Sequence, residues 1–248
     1  MSEPLDHKLL AFNFYPSQSL HPSWWPLLQG LAENRAESQG EPATQEKMPE
    51  PLAPEQLDSL NARQPYLVSS WLLKQHNLDG QFDFDFDSPE KQLFLQSPPE
   101  LQRLRNYLTA LLYHPFIASL LAAKKVKVIK QVLGDESYQF AVKQAPLLLN
   151  QIPEFLQKHM TATDTLNFSE PEKLDQQLNQ AGAALLASAV GQYAPALQWR
   201  LYWKLPFASI LVETKKRAPG NHTDTEQQKL CWQLIKKVSK QFTRPNTA

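Results

Sequence analysis

Six histidines, one cysteine and a short run of alternating aspartates are the side chains of this sequence best suited to chemistry. The histidines are His7, His21, His76, His114, His159 and His222. No two of them stand four apart, the spacing that puts a zinc-binding pair on one helix face, and Cys231 is the lone thiol. A zinc centre would therefore have to be assembled from distant residues. Asp83, Asp85 and Asp87 imitate the start of a calcium loop. The imitation then fails, because Ser88 stands where the turn needs glycine and Phe94 where the bidentate glutamate belongs. The triplet reads instead as an acidic extended edge. Cys231 sits inside a helical stripe beside Trp232, the setting of a small buried hydrophobe rather than a nucleophile. The seven glycines are isolated, and no phosphate-cradling loop, dinucleotide fingerprint or Gly-x-Ser-x-Gly elbow is present. The expectation is a protein that is not an enzyme, with no catalytic residue, no cofactor site and no metal site.

Binding between proteins is the remaining chemistry, and two groups of residues suit it. Lys229, Lys236, Lys237 and Lys240 share one face of the last helical pattern, and Leu230, Leu234, Ile235, Val238 and Phe242 share the other. Such a basic face has three readings: a solvated helix surface with cations near its C-terminus, a docking face for an acidic protein, or a weak attraction to anionic lipid. The second group is Trp24 and Trp25, inside the aromatic and proline-rich span from Phe12 to Pro26. These six residues are the candidate partner-binding positions.

Net charge is zero, so nothing drives the whole chain toward nucleic acid. The balance conceals a split. Residues 30–90 hold twelve acids and four bases, and residues 215–248 hold eight bases and two acids. A chain so polarised orients itself between two partners, or its ends attract each other. With a single cysteine no intramolecular disulfide forms, as in a reducing cytosolic setting. The start lacks the basic and apolar regions of a secretory signal. The longest small-apolar run, Ala181 to Val190, is too short to cross a bilayer.

The elements that must position these residues are mostly helices, an irregular multi-helix architecture. Residues 1–35 read as a docked N-terminal arm with a short helix, in which Phe12 and Phe14 alternate as in a buried strand or extended segment. Residues 36–54, rich in Glu, Gln, Pro, Ser and Thr, read as an exposed acidic linker. Residues 55–248 read as the helical domain. Tyr66 to His76 is a short amphipathic helix. Gln81 to Asp87 alternates strictly, as a half-buried strand near 82–87 or as an extended segment laid across helices. From Ser97 onward capping patterns open helices at Ser97-Pro98-Pro99-Glu100, at Ser169-Glu170-Pro171-Glu172 and at Thr223-Asp224-Thr225-Glu226. The stripe Val126, Ile129, Val132 and Leu133 stops at Gly134, a C-cap. Trp199 and Trp203, one turn apart with Arg200 between them, read as a core pair in preference to an interface hot spot.

Several segments resemble the K proteins of bacterial type III secretion injectisomes, the YscK-like accessory subunits of the cytoplasmic sorting platform. They are Phe12-x-Phe14 with Pro16, Leu20-His21 and the Trp/Pro/Leu segment, then Leu111-Leu112-Tyr113-His114 running to Leu133-Gly134. Gln180 to Leu186 with Trp199 to Leu205-Pro206 follows, and finally Leu230-Cys231 with Leu234 to Val238. The resemblance implies a non-enzymatic helical adaptor, cytoplasmic and held peripherally at the inner-membrane base of the apparatus. Its implied partners are the cytoplasmic domain of the inner-membrane ring D protein and the Q pod protein, and through the platform the L stator and the N ATPase. A chaperone or regulator that binds an exported protein is the alternative. Chaperones of that kind are small, acidic and dimeric, whereas this chain is long and neutral.

Overall fold

A computed structural model describes residues 4–26, 59, 61–149, 151–207 and 225–242. The linker at 36–54 and the Thr223 cap lie outside the described residues. The described helices run, in order, α1 (Leu5–Phe14), α2 (Pro65–Gln75), α3 (Pro89–Gln92), α4 (Pro98–Leu112), α5 (His114–Ser119), α6 (Ala123–Leu133), α7 (Asp135–Lys143), α8 (Ala145–Leu148), α9 (Glu154–Gln157), α10 (Pro171–Val190), α11 (Pro195–Tyr202) and α12 (Thr225–Phe242). Single 3₁₀ turns at Pro16–Ser19, Pro22–Trp24, Leu93–Leu95 and Thr163–Thr165 separate some of them. No strand forms among the described residues.

Proline sets many of these starts. It occupies the first turn of α2, α3, α5, α8 and α10, where its missing N–H costs nothing. Gly134 stops α6 with φ at +87°, a conformation L side chains rarely adopt, and its N–H reaches the Lys130 carbonyl at 2.9 Å. The Ser169 box forms differently from the sequence pattern. Glu170 occupies the N-cap position of α10 with no side-chain cap bond, and the side chain of Asn167 accepts from the Ser169 N–H instead.

The strand near 82–87 is not formed, and the Phe12–Phe14 segment is helical rather than extended. Alternation misled at Phe12 because α1 has almost no amphipathic contrast. Only Phe12 and Asn13 of its residues are buried. Tyr15, preceding Pro16, leaves the helical region and ends α1. Gln81 to Asp87 has no regular secondary structure and no neighbouring strand among the described residues. Its partner is a side chain: Asn13 Nδ2 donates to the Asp83 carbonyl at 2.7 Å, and the Asp83 N–H donates to Asn13 Oδ1 at 2.9 Å. One carboxamide thus supplies the donor–acceptor pair that a neighbouring strand would offer.

The chain divides into two compact units. Unit 1 is Met1–Pro98 with Trp199–Phe207, and unit 2 is Pro99–Gln198 with Ala208–Ala248. In unit 1 the late segment binds the early one. The His21 N–H donates to the Trp203 carbonyl at 2.7 Å, Trp24 Nε1 to the Leu205 carbonyl at 2.8 Å, and the Phe207 N–H to Ser23 Oγ at 2.9 Å. Arg200 and Lys204, both buried, donate only a few residues away from these links. Arg200 reaches the carbonyls of Phe12, Asn13 and Gln81 at 3.1, 3.4 and 3.0 Å. Lys204 reaches those of Phe94 and Gln96 at 2.6 and 2.9 Å. Both cations lie over the Phe12 ring, at 5.6 and 5.5 Å. On the other side of the arm, Ser17 and Ser69 share a buried hydroxyl contact of 2.6 Å that clips the Pro16–Ser19 turn to α2.

Unit 2 is built around α10, which packs on α12, α6 and α9. Its small-residue run, Ala181 to Ala184, is fully buried. At Gly182 α4 comes close. A Cβ there would lie 2.5 Å from Thr109 Oγ1 and 2.6 Å from the Arg105 carbonyl. Beside it Thr109 donates to Asn179 at 2.8 Å, Asn179 to Asp175 at 2.7 Å, and Arg105 stands 3.8 Å from Asp175. Gly182→Ala sets a helix-propensity gain of about 1 kcal/mol against overpacking of about 1–3 kcal/mol. The backbone carbonyl at 2.6 Å has no easy way to yield, so overpacking wins. The expected result is a melting temperature lower by roughly 2–8 °C, read by circular dichroism; an unchanged or higher value would contradict the close approach.

Candidate partner-binding surfaces

The six candidate residues do not form one site. The lysines belong to unit 2 and the tryptophans to unit 1. Helix α12 separates its faces at Leu234, Ile235 and Val238 as the sequence pattern has it, with Leu230 only half-buried and the Phe242 side chain outside the described residues. Cys231, Trp232, Leu234, Ile235 and Val238 are buried, and Lys229, Lys236, Lys237 and Lys240 are exposed. The buried stripe faces α10. Lys229 is held by Glu226 one turn back at 3.0 Å, an exposed pair worth only a few tenths of a kcal/mol. Burial pushes the Cys231 thiol up to about 12, so it stays protonated and unreactive at neutral pH.

Trp24 and Trp25 are each 3% exposed, which makes them anchors of unit 1 rather than a free surface. The Trp24 ring meets Phe207 edge-on at 4.9 Å and Trp199 at 6.2 Å. The Trp199 and Trp203 rings lie 6.2 Å apart at a tilt of 34°; Trp203 is fully buried and Trp199 half-buried, so of the two only Trp203 is a core residue. Arg200 between them is spent on the carbonyls of α1.

The acidic Phe/Asp segment is stapled rather than metal-binding in form. Lys91 Nζ bridges Asp83 at 3.0 Å and Asp85 at 3.1 Å. The hydrogen bond from Lys91, and then that from the Asp87 N–H, hold the Asp85 carboxyl below its ordinary range. Among the described residues no group of three His, Cys, Asp or Glu side chains could hold a metal ion. What pattern-reading missed here is aromatic. Phe82 and Phe84 are 43% and 54% exposed, and Phe14 packs against both at 4.7 and 6.4 Å. Only Phe86 of the three alternating phenylalanines turns inward, edge-on to Phe12 at 5.2 Å.

The histidines are dispersed. His21 Nδ1 lies 2.9 Å from Ser23 Oγ, and His114 Nε2 is 3.0 Å from the Leu149 carbonyl. His76 caps the end of α2 and lies against Trp199 and Trp203, at 4.3 and 5.3 Å. His222 lies outside the described residues. In unit 2 a depression of 360 Å³ is lined by Arg103, Asn106, Tyr107, Leu133 and Glu136 among others. Its ionisable groups are turned on each other, Arg103 to Glu136 at 2.6 Å and Tyr107 to Glu136 at 3.4 Å. That is the geometry of a surface ion pair, not of an acid and base poised at a substrate.

Helix-borne surfaces and no clustered catalytic set among the described residues leave identity to kinship. The family model described as YOP proteins translocation protein K (YscK) matches residues 9–245. The chain belongs to the YscK family. It is therefore a type III secretion protein, in a family of structural and accessory components that is not a known enzyme family. No curated protein and no solved structure matches the chain. No described helix is long and apolar enough to cross a membrane.

One titration follows from the burial of His76. Burial lowers its pKa from 6.5 to about 4. Above pH 6.5 it is neutral whether folded or unfolded and contributes nothing to pH dependence. As pH falls below 6.5 the unfolded chain takes up a proton that the folded chain refuses until about pH 4, so stability is lost in that window. The loss between pH 7 and pH 5 is roughly 2 kcal/mol. Urea unfolding should show it in the native chain and not in His76→Leu, which keeps the packing; an equal loss in both would assign the effect elsewhere.

Proposed function

We propose that this YscK-family chain is a non-enzymatic adaptor of the type III secretion sorting platform. In this reading it works in the cytoplasm, peripherally at the inner-membrane base of the apparatus. It joins the cytoplasmic domain of the inner-membrane ring D protein to the Q pod protein. The L stator and the N ATPase are reached through the platform rather than by direct contact. The observation that carries the reading is the family match along residues 9–245, since kinship over nearly the whole chain argues for the family's role rather than for one borrowed module. The division into two compact units supports it further, because bridging needs two separate surfaces.

The exposed lysine face of α12 is the proposed contact for one partner. Lys229, Lys236, Lys237 and Lys240 present cationic side chains on a helix whose other face is fixed in the core, so the charge is held in place without ordering a loop. Trp24 and Trp25 act indirectly, by holding the arm that presents the aromatic surface of Phe14, Phe82 and Phe84. The two surfaces lie on different units, which suits one partner for each.

Co-purification with the D-protein domain and with the Q protein, singly and together, tests the bridge. The expected outcome is binding to each alone and a ternary complex with both. Lys236→Glu, Lys237→Glu and Lys240→Glu together should weaken one partner by roughly tenfold or more and leave the other unaffected. Failure of the folded native chain to bind either partner would sink the adaptor reading. Unchanged binding of the triple variant to both would sink only the assignment of the face.

A further inference from the structure

Leu121 is the most exposed large apolar residue among those described, at 98%, with Leu147 next at 83%. It sits in the three-residue connection between α5 and α6, within unit 2. Leu120 before it is half-buried and Ala122 after it is exposed. An isolated exposed leucine needs no explanation by itself. Its surroundings do. Lys124, Lys125 and Lys127 follow within six residues, and all three are exposed. No aspartate or glutamate occurs between Glu100 and Asp135, whereas six bases do. The first turn of α6 holds no acid, so Lys124 and Lys125 stand at the end of the helix where cations are least favoured. Lys125 lies 5.0 Å over the Phe168 ring, and Phe168 packs on Phe116 at 6.3 Å, both half-buried. Glu170, the nearest acid in sequence to Phe168, is held by Lys173 at 2.8 Å. The positive charge of this end is therefore not cancelled by its own helix.

We propose that the Leu121 loop with Lys124, Lys125 and Lys127 is a contact for an anionic membrane surface. A leucine at 98% exposure projects from the protein. A bilayer accepts such a projection without a matching pocket. The lysine stems lie along the acyl boundary while their ammonium groups meet the headgroups. Charge complementarity selects anionic lipid, each lysine near the surface contributing about a fivefold gain in partitioning. A protein partner would instead need a cavity for Leu121 and a carboxylate for each lysine. The proposal stands apart from the adaptor reading, because it concerns α5 and α6 and not α12.

Sedimentation of the full chain with vesicles tests it. One set contains phosphatidylethanolamine with phosphatidylglycerol and the other phosphatidylcholine alone. The expected result is binding to the first set, weakened by salt, and little binding to the second. Leu121→Ser, at a site too exposed to alter folding, should lower partitioning about tenfold. Lys124→Glu with Lys127→Glu should lower it more steeply, and Lys236→Glu with Lys240→Glu should leave it unchanged. No binding of the native chain to anionic vesicles at low salt overturns the proposal. So does binding that survives Leu121→Ser, or that follows the α12 lysines.

Discussion

Two buried cations that donate to main-chain carbonyls hold unit 1 together. Taking Arg200 out of water costs several kcal/mol, and burial accordingly pulls its pKa down to about 10. That cost is offset where its acceptors lie. Phe12 and Asn13 are among the last residues of α1, whose terminal carbonyls have no partner within the helix and carry its negative dipole end. Hydrogen bonds from a charged donor contribute about 1.5–3 kcal/mol each, and Arg200 makes three to carbonyls. It at once caps the last carbonyls of α1 and clamps the 81–87 segment through Gln81. Lys204 does the same for the Leu93–Leu95 turn. An N-terminal arm with little apolar contrast of its own is thus folded by residues nearly two hundred positions later.

Unit 2 uses a different device, a close backbone approach at a glycine with a polar thread beside it. Gly182 lets α4 and α10 touch backbone to backbone. The chain of Thr109, Asn179 and Asp175 beside Arg105 satisfies polar groups that the contact buries. With this packing α10 offers α12 a firm bed, and α12 offers its lysines to whatever lies outside. The account of function is therefore one of surfaces on rigid supports.

Much of this was legible in the residues. Helices after Ser97 announce themselves by leucines at helical spacing. Gly134 is read correctly as a stop, and the two faces of α12 separate by residue type alone. Cys231 is recognisable as a buried hydrophobe from its neighbours. What escaped has a common cause. Arg200 and Lys204 are buried against carbonyls, and a carbonyl leaves no mark in the side-chain sequence. The helix at Phe12 is not legible, because burying Phe12 with Asn13 gives no stripe. The strand at 82–87 was suggested by a true alternation, but its partner is the Asn13 carboxamide, which no strand pattern encodes. Nothing in the residue types marks Leu121 as exposed; the break between α5 and α6 places it in solvent.

Kinship to the YscK family says what apparatus the chain serves, and the two cations say how its N-terminal part is kept in shape for that service. The most direct test is hydrogen–deuterium exchange on Arg200→Met, which keeps the apolar stem and removes the charge. The account predicts that amides of α1 and of Gln81 to Asp87 lose protection, whereas those of α4, α10 and α12 exchange as in the native chain. Full protection of α1 in the variant would contradict it, and would mean that the aromatic contacts of Phe12 and Trp24 hold the arm without the cation.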